Sequence, residues 1–274
     1  MSIWDGARDF TSIALSRPRD RVAMLTLDRP RQRNAYTHAL CDEVLAALDD
    51  YLRDDTLRCL IITGAGKAFC SGGDVSGVDG VRASLRGTQL AEGREMRDGM
   101  QRVILALAHL DKPVIAMING PAVAGGLALA LSCDIRIASD RALLGDTSGQ
   151  LGLLPDEGGA WLFPRAMGLD RALRMTILAE VYDAAEALRL GLVTEMVAHD
   201  ALERHTLALA ERIAAQAPLA VRLAKSMMVR GLDSTLERSL GDARLAVEIA
   251  NTTKDATEGI IAFLEKRKPV FNGN

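Results

Sequence analysis

The chain has 274 residues, enough to bury a substantial core as one large domain or as a domain with an appendage. Apolar residues make up 49% and charged residues 25%, which is the balance of a globular protein and excludes a disordered one. A net charge of −3 offers no broad basic field, so nucleic acid is excluded as a main partner, while local Arg and Lys remain able to hold a phosphorylated ligand.

The start, Met1 to Gly6, lacks a basic segment followed by an apolar stretch, so no secretory signal is read there. Residues 21–27 alternate well enough for a strand that ends in the turn-forming Asp28-Arg29-Pro30. A helix is predicted from about His38 to Leu52, with Leu40, Val44, Leu45, Leu48 and Leu52 on one side. The short apolar run Cys59 to Thr63 predicts a second strand, stopped by Gly64-Ala65-Gly66.

No formal charge occurs from Pro113 to Cys133, a length that would pass a simple membrane filter. The central Asn119-Gly120-Pro121 is a turn signal, so the stretch reads as a buried strand from Val114 to Ile118, a turn, and a buried helix from about Gly126. A third unit follows: a strand at 135–138, a glycine-rich loop, and a helix after Pro155. Strands alternating with helices at this interval predict an α/β architecture whose ligand loops lie at strand ends. From about Ala184 strand signals fade, and helices are predicted over 201–215, 219–229, 232–250 and 254–265. Cys41, Cys59, Cys70 and Cys133 show neither CxxC spacing nor a nearby histidine pair. That pattern predicts buried or free thiols in a reducing compartment, hence a cytoplasmic protein.

Two loops are candidates for chemistry. In Lys67 to Asp74, Ser71-Gly72-Gly73 follows a strand, and paired glycines let backbone N–H groups approach a ligand. A tight turn without a ligand explains such a pair equally well. The second loop, Asn119 to Gly126, leads into an apolar helix whose first N–H groups have no intrahelical acceptor, although small residues there also permit close helix packing. Together the two loops favour an oxyanion site.

The segments AFCSGGD, NGPAVAGGLALALSCDIRIAS, LGLLPDEGGAWLFPR and AFLEKRK resemble, in this order, the crotonase or enoyl-CoA hydratase/isomerase superfamily. The likeness runs from about residue 20 to the C-terminus. It implies an α/β crotonase (ClpP/crotonase-like) fold, a spiral of ββα units over residues 1–200 with a C-terminal helical region over 201–274. It also implies an acyl-CoA thioester as substrate and assembly as a homotrimer or dimer of trimers; the charge balance and the turn at Asn119-Gly120-Pro121 lead to no expected nucleic-acid or membrane partner. Gly73 and Gly125 match the two positions whose N–H groups form the family's oxyanion hole. Ser71 and Asp74 match the loop that meets CoA, Ser71 through its carbonyl. Phe263 and Lys266 match tail residues that reach CoA. Arg31 or Arg33 lies where the family places a cation near the CoA phosphates, and solvated surface charge is the plainer alternative.

The best-known members hydrate 2-enoyl thioesters with two glutamates. This chain has Ala128 and Ser148 at those positions, and neither supplies a carboxylate. The remaining candidates lie in Leu153 to Gly159. Asp156 matches a carboxylate used for proton transfer by several isomerases of the superfamily, and a helix N-cap is its alternative duty. Glu157 comes next and can equally point into solvent; Asp146 is third, with a turn cap or salt bridge as its duty. His38, His109, His199 and His205 show no metal-ligand spacing, and no metal is expected. Gly64 to Lys67 is only part of a phosphate loop, so no cofactor is expected beyond the CoA of the substrate.

The leading expectation is an acyl-CoA isomerase in which Asp156 moves one proton while Gly73 and Gly125 hold the enolate. A hydratase, lyase or hydrolase using Asp156 and Glu157, and a non-catalytic CoA-thioester-binding scaffold, are the alternatives. The segment from Ser76 to Gly99, dotted with glycine and charge, matches the wall of the acyl pocket in the family.

Overall fold

The computed structural model describes residues 3–5, 9–75 and 91–274. Most of the stretch expected to wall the acyl pocket, residues 76–90, lies outside the described residues. The chain winds through repeated units in which one strand enters a large sheet, a second short strand leaves it, and a helix follows. In one unit these are β4 (Val114–Ile118), β5 (Ala122–Val123) and α4 (Gly125–Leu131). In the next they are β6 (Ile135–Ser139), β7 (Leu143–Gly145) and, after a 3₁₀ turn, α5 (Gly159–Met167).

The first strands of these units build a six-stranded sheet with β1 (Ile13–Arg19), β2 (Val22–Leu27), β3 (Cys59–Gly64) and β9 (Glu195–Val197), in the order β1-β2-β3-β4-β6-β9. Only β1 runs antiparallel to its neighbour. The second strands, with β8 (Val181–Asp183), form a separate three-stranded sheet in the order β5-β7-β8. Parallel strands are covered on both faces, so β3 and β4 are buried at every position and read as unbroken apolar runs.

One face of the large sheet packs against α1 (His38–Arg53) and α3 (Met100–His109), with Leu25, Leu60, Ile62 and Ala116 in the shared core. The other face packs on α8 (Leu202–Ala214), where Ile61, Ile115 and Ile137 meet Leu207 and Ala210. Thr37 caps α1 by accepting from the N–H of Leu40 at 3.3 Å. All seven residues of α4 are buried, as expected of a helix apolar on every side. Thus the charge-free stretch is a strand, a turn and a core helix, and among the described residues no helix is long and apolar enough to cross a membrane.

The remaining helices are α2 (Ala91–Asp98), α6 (Leu169–Leu178), α7 (Ala184–Leu190), α9 (Pro218–Gly231), α10 (Leu236–Asn251) and α11 (Lys254–Leu264). The four tail helices predicted from periodicity are present within a few residues of their expected bounds. Strand β1 escapes sequence reading because Pro18 interrupts it; as an edge strand with a register shift between Ser16 and Arg19, it tolerates the missing donor. Strands β7 to β9 have three residues each, too few for a periodicity, and β9 lies beyond the point where strand signals fade. The four cysteines are free and buried.

Ile61 joins the sheet to α8 and is fully buried. Replacing it with alanine leaves a cavity and is expected to cost about 2–5 kcal/mol, read as a lower urea midpoint at unchanged slope.

Candidate active site

The site begins at a turn. Arg33 and Asn34 both have left-handed backbones, with φ of 51° and 57°. Asparagine tolerates that conformation, and here its buried side chain is fully engaged. Asn34 Oδ1 accepts from the N–H of Arg29 at 3.0 Å, and Nδ2 donates to the carbonyls of Ala65 and Ala68 at 3.0 and 2.8 Å. The turn is thereby clamped to the loop after β3. Tyr36 then lies alongside the first glycine loop: its N–H donates to Gly72 at 2.9 Å and its carbonyl accepts from Asp74 at 3.0 Å.

The two glycine loops are stitched together by backbone bonds. Phe69 and Cys70 both donate to the carbonyl of Pro121, at 3.0 and 3.1 Å, and Val123 donates back to Cys70 at 3.1 Å. Asn119 adds a side-chain tie, accepting from the N–H of Gly64 at 3.2 Å and donating to Gly66 at 3.1 Å. A β-carbon on Gly126 would lie 2.1 Å from the carbonyl oxygen of Cys70, so close packing alone demands glycine there. The expected seam of small residues is therefore present at Gly126, next to Gly125. Ala124, at φ 51° and ψ −127°, sits in a backbone region that costs an alanine about 1–3 kcal/mol. Held there, it turns the chain into α4 so that Gly125 is the first helical residue. Among the described residues, no acceptor takes the N–H of Gly73 or Gly125. A β-carbon on Gly72 would sit 3.5 Å from the nitrogen of Gly125, which measures how closely the two loops meet.

Into this junction comes one carboxylate. Glu157 is 6% exposed, and a β-carbon on Gly125 would lie 2.5 Å from its Oε1. The hydroxyl of Tyr36 donates to the same oxygen at 2.5 Å. Burial pushes the Glu157 carboxyl above its ordinary range; the Tyr36 bond and its own amide pull it back, and Asp156 and Asp146 raise it further. Burial and the neighbouring carboxylate also drive the Tyr36 phenol well above its ordinary value, so the hydroxyl stays protonated and donates. Gly158, at φ 125°, makes the turn from Glu157 into α5, a conformation suited to glycine. Cys70, in the same neighbourhood, is no nucleophile: burial pushes its thiol up to about 12.

Residues 17–274 match the enoyl-CoA hydratase/isomerase family. The chain belongs to the crotonase superfamily. It is 35% identical to crotonyl-CoA hydratase of Syntrophomonas wolfei, covering 92% of this chain and 95% of that one. It is 34% identical to 1,2-epoxyphenylacetyl-CoA isomerase of Escherichia coli, over 94% and 98% of the two chains. Among solved structures, an enoyl-CoA hydratase from Bacillus anthracis superposes with a TM-score of 0.89 at 34% identity, covering 96% of this chain and all of that one.

For a crotonase, this chain spreads its predicted site residues unevenly. Gly73, Gly125 and Glu157 converge around Tyr36. Asp156, adjacent in sequence, keeps its side chain exposed, with its carboxyl raised chiefly by partial burial. It does not cap α5, whose N-cap is Gly158; its carbonyl instead accepts from Gln101 at 2.8 Å. Asp146 is fully buried and braces its own loop, accepting from the N–H of Ser148 at 3.1 Å and the hydroxyl of Thr176 at 2.9 Å. Ala128 and Ser148, at the two glutamate positions, are buried and offer no acid.

Ser71 lies beside the Arg33 turn, donating its N–H to the carbonyl of Arg33 at 3.1 Å, and Arg31 and Arg33 project to solvent next to it. Asp74 pairs with Arg29 at 2.8 Å, which makes it a brace between the turn and the glycine loop. Phe263 and Lys266 are not brought to this group within one chain. Phe263 is 81% exposed and lines a cavity of about 400 Å³ with Ala217, Ile260 and Phe271. Arg21 and Arg58, at the starts of β2 and β3, hold the carbonyl of Phe271, so the tail is tied to the opposite ends of the strands from the glycine loops.

Tyr36 is the residue that sequence reading missed. Its only local signal is an aromatic just after a polar turn, and its partner lies 121 residues away.

Because the folded carboxyl of Glu157 is raised above its unfolded value, the ionised group opposes folding. That cost is absent below the unfolded value and grows as pH rises through the folded one. Glu157→Gln is therefore expected to melt a few degrees above the parent at pH 8, with the gap closing near pH 4, as read by differential scanning fluorimetry.

Proposed function

We propose that this enzyme is an enoyl-CoA isomerase that moves one proton with Glu157 while the N–H groups of Gly73 and Gly125 hold the thioester oxygen. Supporting this reading is the packing of a single buried carboxylate against Gly125, at the junction of both glycine loops. In a 3-enoyl thioester the C2 proton is acidic because its loss spreads charge onto the carbonyl oxygen and C4. Ionised Glu157 takes that proton, the two amides stabilise the oxygen, and the protonated carboxyl returns the proton to C4. The double bond moves from C3–C4 to C2–C3, with no water consumed. One carboxylate suffices, which accommodates Ala128 and Ser148. Asp156, the first candidate by resemblance, becomes an auxiliary at the mouth.

Purified protein is expected to convert 3-enoyl-CoA to 2-enoyl-CoA. Glu157→Gln should lower kcat by about 10²–10⁴-fold, and Gly125→Ala, whose new methyl would strike the carboxylate, by about 10²-fold or more. Activity should fall as pH drops through the raised Glu157 value, at a pH above the ~4.3 of an ordinary glutamate. Rapid hydration without double-bond migration would overturn the assignment.

A second reading is hydration by the Asp156 and Glu157 pair. Each raises or perturbs the other, so one carboxyl can keep its proton while its neighbour is ionised, as adding water across a double bond requires. Oxygen from labelled water appearing in a 3-hydroxyacyl product would establish it. Turnover in either form is favoured over a non-catalytic scaffold.

We also infer a homotrimer or dimer of trimers. Leu232, Leu236, Leu240 and Leu245 on and beside α10 are each more than half exposed, as is Phe263 on α11. Assembly would cover them and offers a route for Phe263 and Lys266 to reach a CoA bound by another copy. Light scattering after size exclusion is expected to give three or six times the chain mass; a monomer at micromolar concentration would refute it.

A further inference from the structure

Tyr36 touches every component of the site. Its backbone pairs with the Gly73 turn, its ring carbon Cε1 would lie 2.7 Å from a β-carbon on Gly125, and its hydroxyl would lie 3.3 Å from one on Gly73. The same hydroxyl donates to Glu157 Oε1 at 2.5 Å. Nothing in the family likeness required a hydroxyl at this position, and the remaining tyrosines serve elsewhere: Tyr51 donates to the carbonyl of Pro113 and Tyr182 to Glu180.

We propose that Tyr36 is a positioning residue that holds the Glu157 carboxylate against the oxyanion amides through Oε1, leaving its second oxygen to exchange the proton with substrate. The inference rests on the reading of Glu157 as the proton carrier. The physical argument has two parts. A glutamate side chain has several rotatable bonds; a hydrogen bond from a tyrosine whose backbone is tied to Gly72 and Asp74 fixes one of its oxygens. A donor also favours the ionised carboxylate, opposing the burial that disfavours it. Tyr36 therefore keeps a buried base usable near neutral pH. Among the described residues the other charged groups acting on Glu157 are Asp156 and Asp146, both acidic, and neither can take over this task. Since the phenol remains protonated, it moves no proton itself and forms no bond to substrate.

The test is deuterium uptake at C2 of a short 3-enoyl-CoA in heavy water, measured by NMR across pH for the full-length parent, Tyr36→Phe and Glu157→Gln. Phenylalanine keeps the ring contacts and both backbone bonds, so only the hydroxyl is lost. The expected result for Tyr36→Phe is an acidic limb moved up by about one pH unit, a kcat reduced about tenfold below that limb, and an unchanged KM. As a second arm, 3-fluorotyrosine introduced at position 36 is a stronger donor and should move the limb down. If Glu157→Gln abolishes exchange but neither change at position 36 moves the limb, Tyr36 is packing alone and the inference fails by itself. If Glu157→Gln exchanges as fast as the parent, Glu157 is not the proton carrier, and both readings fall.

Discussion

The site exists because two loops that leave neighbouring parallel strands are forced to run edge to edge. Strands β3 and β4 pair in register, so the chain emerging from each arrives at the same end of the sheet. There the exchange of hydrogen bonds between Phe69, Cys70, Pro121 and Val123 welds the two exits into one surface. The candidate site is mounted on that weld. The amides of Gly73 and Gly125 flank it, and the strained backbone of Ala124 starts α4 at the required place. Glycine is needed at 126 because the neighbouring loop leaves no room for a methyl group.

One buried carboxylate, that of Glu157, lies beside the weld. A charged group next to two amides must be supported from behind, and the support comes from the Arg29–Tyr36 segment. That segment is held by buried Asn34 and by the ion pair of Arg29 with Asp74. Asn34 and Asp74 thus hold the segment that carries Tyr36, and Tyr36 meets Glu157. Glu157, Gly73 and Gly125 are thus brought together around Tyr36 from three separate loops.

Much of this was legible from residue order. The apolar runs at 59–63 and 114–118 read as strands, and the turn at Asn119-Gly120-Pro121 argues against a membrane helix. Gly73 and Gly125 were legible as a pair only because two glycine loops occur together after strands, since a tight turn or close helix packing explains either loop alone. Asp156 and Glu157 were legible as candidates but not as a ranking. Adjacent residues in a loop face different ways, and no local pattern says which one turns inward; the structure exposes Asp156 and buries Glu157. Strands of three residues and a proline-bearing edge strand carry too little periodicity to be seen at all.

Sequence by itself determined the alternation of strand and helix, the crotonase likeness, the two glycine-bearing loops and the presence of Ala128 and Ser148 instead of carboxylates, because each is a property of neighbouring residues or of their types. Tertiary structure alone decided that Glu157 faces the amides, that Tyr36 grips it from 121 positions away, and that Phe263 lies far from Gly73 within one chain. The reason is physical: hydrogen bonding and desolvation depend on what converges in space. Convergence here is set by strand order and crossover, which bring residues together without regard to their separation along the chain.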